Sequence, residues 1–370
     1  MRTRIRALSL FAAIAMLAAA CGGNGTDTTS GTDDTATGTA DDTAGDDTET
    51  EEEPADPEAR VGLVFDIGGR GDQSFNDAAF AGLDRAANEF NIETLDLEPD
   101  AGGENREELL QLLAEDGFEL VFAVGFLFTD AVAATSEAFP DTTYGLIDSV
   151  VEADNVASLV FAEHEGSFLV GAAAAMKSET GKLGFIGGVE IDLIKKFEAG
   201  FVAGAQHVNP DIEVDVKYIS QPPDFSGFND PAKGKEIALA QYNAGADIIY
   251  HAAGGSGGGL FEAAKEVSEE SGSKVWAIGV DSDQYNTADP SVQEFILTSM
   301  LKRVDVAVFN TIESFLAGEN VGGQVTTFDL SVDGVGYSTS GGFVDDIAAD
   351  LDALKQQIVD GEIEVPQAPE

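Results

Sequence analysis

From Arg60 to about Leu316 the chain alternates short β-branched runs with amphipathic helical patterns, and this alternation restricts its fold more than any other feature. Strands are expected at 61–66 (VGLVFD), 92–97, 118–124 (FELVFAV), 143–147, 156–162, 182–187 (KLGFIG), 213–219, 246–252 (ADIIYHA), 274–280 (KVWAIGV) and 295–301 (FILTSML). Helices are expected near 76–90, 104–115, 129–138, 165–178, 192–208, 230–244, 258–271 and 302–317. The strands are short and nearly continuous in apolar residues, as in a parallel sheet covered on both faces. Strict β–α alternation over such a length gives a doubly wound α/β architecture. Ten or more strands would be large for one open sheet, so two Rossmann-like lobes are expected.

The N-terminus reads as an export signal. Arg2, Arg4 and Arg6 precede an apolar run, Ala7 to Ala20, that ends in small residues and is too short for a span of about 20 residues. The only cysteine, Cys21, falls at the expected cleavage point and resembles the lipobox cysteine of bacterial lipoproteins. The expectation is therefore a lipoprotein signal over 1–21, with Cys21 lipidated and the protein exported and anchored to the outer face of the cell membrane. Residues 22–59 carry thirteen acids and no Lys or Arg among Gly, Thr, Ser and Ala. Such a segment cannot bury enough apolar surface to offset its ordering entropy, and is expected to be a disordered acidic tether.

Charge and composition exclude several functions. The net charge is −49, from 68 acids against 19 Lys and Arg, and most of the acid lies beyond the tether. Phosphates would be repelled, which argues against nucleic acid, and contact with an anionic membrane is expected only through the lipid anchor. One Cys excludes a disulfide framework and a thiolate zinc cluster. His164, His207 and His251 are scattered, so no metal site is expected, and no cofactor.

Ligands of open α/β sheets sit beyond the carboxyl ends of the strands, so function is sought there. The loop GGRGDQSFN (68–76) follows the first strand and opens the first helix; its glycines allow close backbone approach, Asp72 and Asn76 offer polar groups and Phe75 a ring. The plainer reading of this loop is a turn with Ser74 or Asn76 as helix cap. Its Arg70-Gly71-Asp72 tripeptide also matches an adhesion motif, a match that recurs by chance. The run GGSGGG, beginning Gly254-Gly255, lacks the Lys-Ser/Thr pair of a phosphate-binding loop and suits backbone approach to a neutral ligand. Asp148 and Asp281 each end a strand, as ligand-binding carboxylates, as a hydrolytic acid pair, or simply as caps. Lys302 is a scarce cation at another strand end, and Phe75, Phe126, Phe197 and Tyr250 are rings near the same face.

Six ordered blocks carry a resemblance: DQSFND, PDTTYGLID, GKLGFIGGVEIDLIKKFEAGFVAGA, ADIIYHAAGGSGGGLFEAAKE, GVDSDQ and LTSMLKRVD. Together they resemble the basic membrane protein family of ABC-transporter substrate-binding lipoproteins, related to the purine nucleoside receptor of spirochaetes. The resemblance implies a type I periplasmic-binding fold, two lobes joined by crossovers, with lobe one at 60–160 and 284–318 and lobe two at 161–283 and 319–370. It implies binding of a purine nucleoside without catalysis, and delivery to ABC permease subunits. Carried over by position, Phe75 stacks on the base with Tyr250 as first choice of partner ring and Phe197 as second. Asp148 takes the base edge, and Asp72 and Asn76 line the pocket. Gly254 or Gly255, Asp281 and Lys302 hold the ribose. Gln73 stands where the family usually has a Lys or Arg, and Tyr250 where Phe is common. A sugar or autoinducer receptor on the same fold, and an extracellular nucleoside or glycoside hydrolase using Asp148 and Asp281, are the competing readings.

Overall fold

The structure is a computed structural model that describes residues 56–369. The expected signal, Cys21 and the tether up to 55 lie outside the described residues; Ala59 already belongs to the first strand.

The elements run in the order β1 (Ala59–Val64), α1 (Phe75–Glu89), β2 (Ile92–Leu97), α2 (Arg106–Glu115), β3 (Leu120–Ala123), α3 (Thr129–Ala138), β4 (Thr143–Ile147) and β5 (Val156–Phe161). Then come α4 (Glu163–Lys177), β6 (Lys182–Val189), α5 (Asp192–Val208), β7 (Glu213–Ser220), α6 (Pro231–Asn243), β8 (Ile248–Ala252), α7 (Gly257–Ser271), β9 (Trp276–Asp281), α8 (Gln284–Thr287) and β10 (Ile296–Lys302). The chain closes with α9 (Val304–Leu316), β11 (Gln324–Phe328), β12 (Val335–Tyr337) and α10 (Ala348–Val359).

The strands form two six-stranded sheets, ordered β11-β5-β4-β3-β1-β2 and β12-β10-β9-β8-β6-β7. All neighbours are parallel except β10 and β12. Every residue of the central strands β3 and β8 is buried, because helices cover both faces. At the edges β2 is largely exposed, and β7 (EVDVKYIS) alternates between exposed and half-buried.

The lobe boundaries differ from those expected. Residues 284–302 do not join the first lobe: β10 pairs with β9 in the second sheet, with Leu301 opposite Asp281. Six of its seven residues are buried, and the slot beside β9 supplies that cover. The chain crosses after Lys302, and α9 packs on α1 of the first lobe. Residues 319–328 also depart from the expected second lobe, since β11 adds to β5. The three crossings thus lie at 161–163, 302–304 and 328–330.

Glycine sets the closest helix contact, between α4 and α5. A Cβ on Gly200 would lie 2.1 Å from His164 O, one on Gly204 2.0 Å from Phe168 O, and one on Gly171 2.1 Å from Phe201 O. The two backbones touch because nothing separates them. Gly204→Ala is therefore expected to cost about 1–3 kcal/mol of stability through overpacking. Gly258→Ala is the contrast, for nothing lies within 4 Å of its Cβ in helix α7. It should stabilise by about 0.5–1 kcal/mol. Denaturant midpoints of the two variants check both signs.

Candidate functional site

The carboxyl ends of both sheets face one cleft, as the doubly wound topology requires. Loop 65–74 leaves β1 and turns on Gly68, Gly69 and Gly71, all at positive φ. Asp72 organises it. Its carboxylate accepts from the backbone N–H of Ser74 (2.9 Å), Asn76 (2.8 Å) and Asp77 (3.1 Å), and from Asn76 Nδ2 (3.1 Å). Asn76 Oδ1 accepts from Asp66 N at 2.8 Å, and its Nδ2 also reaches Ile67 O at 3.3 Å. Both side chains line the cleft, but their polar atoms are spent within the loop and fix where Phe75 stands. The adhesion reading falls with this: Asp72 has little left to offer a receptor, and the Arg70 guanidinium lies 3.3 Å from the Phe80 ring centroid.

The cleft floor is charged. Lys302, 2% exposed, ends β10 and donates to Asp148 Oδ2 at 2.6 Å, with Glu163 Oε1 at 3.4 Å. Its ammonium lies 5.0 Å from the ring centroids of Phe75 and Phe161 and 5.6 Å from that of Phe197. Burial works against this cation, yet Asp148, Glu163 and Asp281 together hold it up to about 12. Burial also pushes Asp148 upward against the pull of Lys302, and Asp148 Oδ1 is buried without a partner. Burial lifts Asp281 to about 7 and Asp66 to about 6, the latter despite the Arg106 guanidinium 3.4 Å away. Three of the four non-glycine residues at positive φ among the described residues stand here: Gln73, Asp148 and Asp281. Strained backbone of this kind gathers at ligand clamps.

Phe75, Phe126, Phe197 and Phe228 line the cleft with Asp66, Asp72, Asn76, Asp148, Gly254, Asp281 and Lys302. Its empty volume is about 590 Å³, counting the open space at its mouth. Two expected residues are elsewhere. Tyr250 is fully buried under the cleft, with its ring 5.6 Å from Phe185 and 5.1 Å from Phe201 and its hydroxyl 3.2 Å from Ser167 Oγ. On a strand covered by helices its side chain faces α4 and α5, and the following Ala252 and Ala253 reach the cleft instead. Gly255 faces Asn229 and Asp72 and lies outside the cleft lining. The sequence reading misses Phe228, at the end of a single 3-10 turn with no periodic signal, and reaches Asp66 only as a strand-end position without a binding role.

The lobes are closed on one another. Ser74 Oγ donates to Asp281 Oδ2 at 2.5 Å, and Ser282 Oγ to Ser74 O at 3.1 Å. Gln284 Nε2 and Thr287 Oγ1 both donate to Gln73 O, at 3.1 and 3.2 Å. Gln284 is itself aimed by its Oε1, which accepts from Val280 N at 2.8 Å and lies 3.0 Å from His251 Nε2.

The family profile described as ABC transporter substrate-binding protein, PnrA-like, matches residues 59–368. The chain belongs to this family. A CD4+ T-cell-stimulating antigen of Listeria innocua is 34% identical over all of this chain and 99% of its own length. The ABC transporter nucleoside-binding protein BmpA of Lactococcus lactis is 35% identical over 83% of this chain and 89% of its own. A solute-binding protein of an ABC transporter system from Aeropyrum pernix superposes with a TM-score of 0.73 at 30% identity, covering 84% of this chain and 94% of its own. The fold is the type I periplasmic-binding fold, and the protein is an extracytoplasmic solute-binding component of an ABC importer, not a catalyst. The hydrolase alternative is thereby set aside.

The Asp281 carboxyl gives a pH test. It titrates near 4 in an unfolded chain and at about 7 here. The folded protein therefore binds more protons across that interval. The stability Asp281 contributes is complete below about 4 and lost as pH rises through about 7. Asp281→Asn keeps an acceptor for Ser74 and removes the titration. Its stability relative to the wild type should rise from pH 4 to pH 7 in denaturant titrations of ligand-free protein. A constant gap across that interval refutes the shift.

Proposed function

We propose that the cleft binds a purine nucleoside between the lobes and that the protein hands it to an ABC permease. The observation that carries this is the cleft lined by the rings of Phe75, Phe197 and Phe228 together with the charged side chains of Asp148, Asp281 and Lys302. A nucleoside is flat and neutral at one end and rich in hydroxyls at the other. Rings supply apolar burial for the base, and the buried carboxylates and ammonium supply acceptors and a donor for polar edges. Phe75 and Phe197 stack on the base, with Phe228 at its side. Asp66 and Asp148 take the base edge; Asp281, Lys302 and the Gly254 backbone take the ribose. The printed name of the Lactococcus relative, a nucleoside-binding protein, supports the same assignment.

Anionic ligands are disfavoured. Beyond Asp66 the cleft opens past Glu98 and Asp100, and its one cation there, Arg106, already faces Asp66. A phosphorylated nucleotide would meet more acids than bases. The expected lipid at Cys21 would hold the body at the outer membrane face beside the permease, within reach of its tether.

Calorimetric titration of the purified protein with adenosine, guanosine and inosine tests the proposal. Saturable binding of at least one is expected; no heat with any at millimolar concentration, or heat with ribose alone, would sink it. Phe75→Ala should weaken binding by about 1–3 kcal/mol through lost stacking.

A further inference from the structure

The first turn of α4 holds the hinge together. This helix begins directly after the first crossing, and Glu163 at its start is 1% exposed. Glu163 Oε1 lies 3.4 Å from Lys302 Nζ at the second crossing, and Oε2 accepts from Lys196 Nζ at 3.3 Å. Two residues on, Glu165 Oε2 accepts from Leu330 N at 3.0 Å, at the third crossing. One turn of helix therefore binds both other crossings through two carboxylates.

Lys302 sits between carboxylates of different lobes. Asp148 comes from the end of β4 in the first, Glu163 from α4 in the second. An ammonium has three N–H donors; Asp148 accepts from one of them, and Glu163, 3.4 Å away, attracts the charge without a hydrogen bond. The hydrogen bond to Asp148 and the pull of Glu163 together set how the ammonium is turned. Remove the pull of Glu163 and the ammonium is free to swing about its contact with Asp148.

We infer that Glu163 is a positioning residue for the ligand: it does not line the cleft, but by its charge it turns the free N–H groups of Lys302 and so sets how strongly ligand hydroxyls are held. The inference rests on the assignment of Lys302 to the ribose. Glu163→Gln tests it, because an amide between two ammoniums presents a donor to one of them.

The measurement is the affinity of the full chain for a ribonucleoside and for its dideoxy analogue, which lacks both secondary hydroxyls. The wild type should prefer the ribonucleoside by about tenfold or more, as for hydrogen bonds to a charged group. Glu163→Gln should reduce that preference to about threefold or less, with little change for the dideoxy analogue, since the two changes share Lys302. A merely structural role would weaken both ligands in proportion, and an undiminished preference overturns the inference alone. A wild type blind to the hydroxyls overturns the ribose assignment and the inference with it. Should Glu163→Gln fail to fold, Glu163→Asp keeps the charge but withdraws the carboxylate by one methylene. A reduced preference is again expected, and an unchanged one overturns the inference.

Discussion

The buried ion pair between Lys302 and Asp148 joins the two lobes at the floor of the cleft, and the site is built around it. Taking an ammonium and a carboxylate out of water is expensive, and their attraction compensates only when further groups satisfy the remaining donors and acceptors. Glu163 supplies part of that, and Lys196 neutralises Glu163 from the solvent side. The balance is incomplete, since Asp148 Oδ1 is buried with no partner within the protein. A ligand donor that reached it would remove that deficit. Ligand binding and hinge integrity therefore draw on the same charges.

Closure follows a similar logic. Loop 68–76 of the first lobe bonds to residues 281–287 of the second through hydroxyls, amides and one carboxylate, all groups that water can satisfy when the lobes part. Such bonds contribute modestly to a closed state because water competes for both partners. A ligand held by Phe75 on one side and Phe197 on the other contacts both walls only when the lobes are shut. Its differential affinity for that state is what shifts the population. A permease can then distinguish a filled binding protein from an empty one by lobe arrangement alone.

Much of the architecture was legible because covered parallel strands and their helices leave a strong apolar rhythm. The weak edge strand β11 (QVTTF) was not, since four of its five residues are exposed and carry no burial pattern. Its invisibility displaced the lobe boundaries, together with the assumption that the crossing precedes β10. At the site, the strand-end rule found Asp148, Asp281 and Lys302 because topology forces those ends into the cleft. It could not tell which way Tyr250 points. A strand buried on both faces has no polar alternation to reveal the parity of its side chains, so a ring at the right end of the strand still faced the core. Phe228 lay beyond any periodic argument, on the loop after β7.

The acidity of the chain bears on selectivity through where its few cations go. Among the described residues every Lys and Arg except Lys265 has a carboxylate oxygen within 4.0 Å. Most of these are surface pairs of small energetic value. Their effect on recognition is larger, because an anionic ligand arriving at the cleft would meet a carboxylate beside each cation. At Arg106 that carboxylate is Asp66, and at Lys302 it is Asp148, the group that closes the hinge. An anion that took a free N–H of Lys302 would stand against the charges of Asp148 and Glu163, whereas a neutral hydroxyl can take one and leave both carboxylates in place. The expected rejection of anionic ligands is thus a consequence of the same pair that holds the lobes together.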